Sequence, residues 1–141
     1  MGNVPDLRSP WSEAFEERAN LTFDQALRLG AELYEKGHPW HAHEVWEELW
    51  QAHVGLERKS LQGLIQLAAA RHHAQNNNSH GMKVLLERCL ANLSTENPLT
   101  GLDHDDLKQQ ISKLLEKLDK DRPAEAKDFP ELLTKLKAVK T

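Results

Sequence analysis

Apolar residues along this chain recur at intervals of three and four, the spacing that lines one face of an α-helix. Thr22 and Gln25 form a capping-box pair ahead of Leu27, Leu33 and Tyr34, and Gly37 supplies the stop. Pro39 suits the first turn of a second helix, whose pattern runs through Trp50 to about His53 before Gly55 ends it. A third helix is predicted from about Glu57 to Asn76, broken by Asn76-Asn77-Asn78. Ser79 caps a fourth that passes Leu85 and Leu86 to about Leu93, and Glu96 to Gly101 reads as a loop. Asp103, with Asp106 three residues on, opens a fifth helix that runs to about Lys120, before Pro123. A short sixth is expected over Pro130 to Val139. No segment alternates apolar and polar residues as a strand would.

The fold class predicted is therefore all-α: a compact bundle of about five to six antiparallel helices built as helical hairpins, because the connections are short. Residues 1–20 are expected to form an N-terminal arm, with Trp11 and Phe15 as anchors, and residues 21–141 a single helical domain. Helix, Gly37 turn, helix is echoed by helix, Asn-rich turn, helix. This resembles a pair of tetratricopeptide-like hairpins, but the fixed period of a repeat array is missing.

Composition narrows the class of function. The chain has 141 residues, 39% hydrophobic and 28% charged, with a net charge of -4. That is ordinary composition for one folded domain. It has no basic excess to hold a phosphate backbone, so no nucleic-acid partner is expected. Cys89 is the only cysteine and reads as a small buried hydrophobe. No apolar run is long enough to span a bilayer and the first residues do not form a secretory signal, so a cytoplasmic location without membrane contact is expected.

The chemistry concentrates in the second and third helices. His43, Glu44 and Glu47 spell H-E-x-x-E. Residues four apart share a helix face, so His43 and Glu47 project side by side and can offer a nitrogen and an oxygen to one cation. Glu44 is rotated away and would act as general base on a metal-bound water. Ala42, Val45, Trp46 and Leu49 form the apolar face, with His43, Glu47 and Trp50 along its edge. On the third helix Gln62, Gln66 and His73 make a polar stripe, while His72 points into the apolar face. Packed as a hairpin, the two edges would set His43 and Glu47 against Gln66 and His73, with His72 close by. A structural clamp of hydrogen bonds across two helices uses the same residues equally well. His38, His41, His53, His80 and His104 read as surface or loop residues. Phosphate loops, dinucleotide fingerprints and nucleophile elbows are absent from the sequence.

The run from Leu33 to Trp50 carries an A-H-E-x-W-E-x-x-W motif after a glycine turn. A second block, Leu61 to Ala70, is followed by His72 and His73. Gly81 with Leu85-Leu86, Gly101-Leu102-Asp103 and Phe129-Pro130 complete the pattern. Together they resemble the domain-of-unknown-function family three-zero-nine, over about Leu21 to Leu136. The chain departs from its pattern at His38, where arginine is more usual. The resemblance implies an all-α protein labelled a predicted metal-dependent hydrolase. It singles out His43, Glu44, Trp46, Glu47 and Trp50, with Gln62, Gln66, His72 and His73 on the next helix.

Two readings follow. In the first, the protein is a metal-dependent hydrolase of a small-molecule substrate. His43, Glu47 and His73 or His72 hold a divalent ion, zinc first, and Glu44 acts on its water. Gln62 and Gln66 face the substrate, and Trp46 and Trp50 wall the groove. In the second, the protein is a non-enzymatic tetratricopeptide-like scaffold for a protein partner, or a homodimerisation module, and its His/Glu/Gln cluster is structural.

Overall fold

Turn and cap chemistry marks most of the described helix ends. The computed structural model describes residues 21–52, 55, 57–93, 99, 101–119 and 125–133. Five α-helices occupy most of them: α1 (Phe23–Glu35), α2 (Pro39–Ala52), α3 (Arg58–Gln75), α4 (Ser79–Asn92) and α5 (His104–Asp119). A 3-10 turn, Ala126–Asp128, follows. The expected all-α class is thus the observed one. The arm expected over residues 1–20 lies outside the described residues, as does His53.

The Thr22 hydroxyl accepts the Gln25 N–H at 3.1 Å, while the Gln25 side chain accepts the Thr22 N–H at 3.0 Å. This is the reciprocal box foreseen for the start of α1. At its end Gly37 adopts φ 91°, and the His38 N–H reaches back to the Leu33 carbonyl at 2.9 Å. Between α3 and α4 the left-handed residue is Asn77, at φ 58°. The cap of α4 is Asn78 rather than Ser79: its side-chain oxygen accepts the Gly81 N–H at 3.0 Å. Asp103 caps α5 through the Asp106 N–H at 3.1 Å.

Consecutive helices pack on one another, so the chain runs as a series of hairpins. The central helix is α3. Leu61, Leu64, Leu67, Ala68 and Ala70 are buried on it, and it lies against both α2 and α4. Leu27 and Tyr34 of α1, Trp46 of α2, Leu86 of α4 and Leu107 of α5 meet the same core. Burying each such side chain contributes about 1.5–3 kcal/mol relative to leaving it in water.

The segment 125–133 closes the bundle. Asp128 accepts the Glu125 N–H at 2.8 Å and pairs with Lys117 of α5 at 2.9 Å. These two contacts hold its carboxyl below the usual carboxylate range. The Tyr34 hydroxyl donates to the Pro130 carbonyl at 2.9 Å. One oxygen of Glu35 accepts the N–H groups of both Leu132 and Leu133, the latter at 2.6 Å. Phe129 and Leu132 are buried. Of the sixth helix expected over Pro130–Val139, residues 130–132 are irregular, Leu133 is in 3-10 conformation, and the remainder lies outside the described residues.

Candidate functional site at the edge of the second and third helices

The motif helix splits into a buried and an exposed half. Ala42, Val45 and Trp46 are buried, as the 3.6-residue period requires. Trp46, expected to wall a groove, is fully enclosed. Its indole N–H donates to the Leu27 carbonyl at 3.1 Å, and its ring lies 6.4 Å from that of Tyr34. Trp50 is partly buried. Arg58 lies 3.9 Å over its ring and donates to its carbonyl oxygen at 3.1 Å. Among the described residues the exposed tryptophan is Trp40, at 44%. It is the second residue of α2.

His43 and Glu47 do stand side by side, with Nε2 and Oε2 3.9 Å apart. The His43 Nδ1 is buried and makes no hydrogen bond. Glu44 turns away from them toward His41, its carboxylate 3.5 Å from the His41 Nδ1. Trp40 stacks on the His43 ring at 4.6 Å between centroids, the planes within 10° of parallel. The same indole touches His72 of α3 at 5.0 Å. The imidazole that α3 brings to this edge is therefore His72. Burial, helped by the neighbouring His73 and His43, pushes the His72 pKa below the ordinary imidazole value.

The polar stripe of α3 goes elsewhere. Gln66 was expected to face His43 and Glu47. Its side-chain oxygen instead accepts from the Asn92 amide of α4 at 2.7 Å. His73 was the favoured third ligand, but its Nδ1 lies 3.1 Å from the Asn78 amide, in the turn before α4. The physical reason is helical phase. Residues 62, 66, 69 and 73 share a stripe, and α4 covers it, while 65, 68 and 72 lie on the neighbouring one. Gln62 is half-buried on the α4 stripe. Among the described residues no three His, Cys, Asp or Glu side chains gather as a metal-holding group. None of the described helices is long and apolar enough to cross a membrane.

One histidine read as a surface residue is buried. His104, 6% exposed, is the first residue of α5, and its Nε2 accepts the Leu99 N–H at 3.0 Å. Burial, then Lys108, lowers its pKa. The loop sequence around it carries no periodicity that would have revealed this. Cys89 is buried as expected, and burial pushes its thiol pKa well up, out of the range of a reactive thiolate.

Residues 27–85 match the model of the family described as "Domain of unknown function (DUF309)", the family that the motif resembles. The matched segment runs from within α1 into α4 and contains the whole α2–α3 edge. No curated protein and no solved structure matches the chain.

Proposed function

We propose, with the match of residues 27–85 to that family as premise, that the chain is a non-enzymatic helical-hairpin scaffold. Its signature residues fix the helices against one another, and the α2–α3 edge, with Trp40, His43, Glu47 and His72, faces a protein partner. One observation carries this reading: three polar groups of the signature are bonded to other helices or to the turn that leads into one. The Trp46 indole holds α1, Gln66 holds α4, and His73 is tied to the turn before α4. An aromatic ring flanked by polar groups that keep partial exposure is the kind of surface that anchors protein contacts.

The hydrolase is the second reading, and a different observation favours it. The His43–Glu47 pair offers an imidazole nitrogen and a carboxylate oxygen, a donor set that suits zinc, and the His43 Nδ1 has no protein partner. His43 and Glu47 would hold the ion, with His72 as the imidazole that shares the Trp40 ring. A bound zinc ion supplies Lewis acidity and acidifies its water. A base role for Glu44 requires its carboxylate to leave His41.

Elemental analysis separates the two. The untagged protein, purified without chelator and then exposed to zinc, is compared with His43→Ala and Glu47→Ala. The scaffold predicts no stoichiometric metal in any of the three. Near-stoichiometric zinc, manganese or iron in the parent that is lost from both variants overturns the scaffold in favour of the hydrolase.

A further inference from the structure

A second feature lies away from the α2–α3 edge. A cavity of about 230 Å³ opens between the end of α1, the C-terminal part of α3 and the segment 125–133, lined by Glu35, Arg71, Lys127, Phe129 and Glu131. Arg71 is its unusual member. Its guanidinium lies 4.5 Å over the Tyr34 ring, and its Nε is buried with no hydrogen-bond acceptor. No carboxylate among the described residues lies within ion-pair distance of it. Glu35 lines the same cavity, yet its Oε2 is already occupied by the Leu132 and Leu133 N–H groups. A buried Nε–H without an acceptor is costly, and the planar fork of donors to which it belongs, which also bonds the Tyr34 hydroxyl, matches a carboxylate.

We infer that this cavity binds a small carboxylate-bearing molecule, with Arg71 as the recognition residue and Lys127 as the second cation. Three observations select this class. The volume suits a guest of a few heavy atoms. Phe129 gives one apolar wall for a short carbon chain. Glu35 and Glu131 put two negative charges on the lining, which disfavours a dianion such as phosphate more than a monoanion. The cavity draws Glu35 from α1, Arg71 from α3 and the rest from the closing segment, so it exists only in the closed bundle.

The test is NMR titration of the full chain, following the Arg71 Nε–H and the backbone amides of Glu35, Phe129 and Glu131. Sodium acetate is added against phosphate and methylammonium chloride at matched ionic strength. The expected result is a saturating downfield shift of the Arg71 Nε–H with acetate and a several-fold weaker response to phosphate. Methylammonium should leave the resonance in place. Lys127→Gln, at an exposed side chain, should weaken acetate binding several-fold without altering the melting temperature. Arg71→Lys, checked for folding by circular dichroism, should abolish it. A linear, non-saturating acetate response, or tighter saturation by phosphate, overturns the inference, as does unchanged acetate affinity in Lys127→Gln.

Discussion

The Trp46 indole nitrogen is bonded to the Leu27 carbonyl because Gly30, one turn further along α1, has no side chain. A Cβ built on Gly30 would overlap the indole nitrogen itself. The close crossing of α1 and α2 therefore depends on a glycine in a helix interior, where alanine is intrinsically the better residue.

Gly30→Ala should destabilise the protein by about 1–3 kcal/mol through overpacking, despite its gain in helix propensity. Trp46→Phe alone should cost a similar amount, by loss of the hydrogen bond and of packed ring area. In the double variant the losses should be clearly less than additive, because Phe leaves the space that the new methyl needs. Urea unfolding of the four proteins measures this, and strict additivity would show that the two residues do not share one contact.

The Gln66–Asn92 bond should behave as a coupled pair. Each single change to Ala leaves a half-buried amide without its partner and should cost about 1–2 kcal/mol. The double change should cost little more than either alone. Melting temperatures read the cycle. The same variants should leave the histidine resonances of the α2–α3 edge in place, since Gln66 is bonded to α4 and not to α2.

His104 makes stability depend on acid. Its Nε2 must be unprotonated to accept the Leu99 N–H, and its folded pKa lies below that of a free imidazole. The contribution is present in full above the unfolded value of about 6.5. It is lost progressively as pH falls from there through the folded value, because the unfolded chain takes up the proton first. The urea midpoint should therefore drop as pH falls below about 6.5. His104→Gln, which keeps an acceptor but cannot titrate, should flatten that drop. An unchanged pH profile in this variant would rule out His104 as its source.

Much of the fold is visible in the residues, because helix boundaries are local chemistry. Thr22 with Gln25, Gly37, Pro39, the Asn76–Asn78 run and Asp103 each mark an end that the structure places within a residue or so. The site was less legible. Periodicity identifies which helix face is apolar, but not which neighbour covers the stripe beside it. Gln66 and His73 were assigned to α2 on that ambiguity and lie toward α4. His43 with Glu47 was legible because both sit on one helix, four residues apart. The role of Trp40 depends on His72, thirty-two positions later, and a helical wheel holds no such information.

His72 should titrate below the ordinary imidazole range, with burial as the main cause and the charges of His73 and His43 adding to it. Trp40→Ala, which opens the ring to water, should raise its midpoint the most. His43→Ala and His73→Ala should each raise it by less. Ring-proton NMR across the neutral range measures all four proteins. A His72 midpoint at or above the free-imidazole value in the parent would remove the electrostatic link across the edge.

A stack of neighbour-on-neighbour hairpins has no intrinsic length: another pair can always be added to the last, and the array stays open at both ends. The Tyr34–Pro130 and Glu35–Leu133 bonds join positions 96 and 98 residues apart. They fold such a string back upon α1, so that the end of α1 is held by the chain's own later segment rather than by a neighbouring unit.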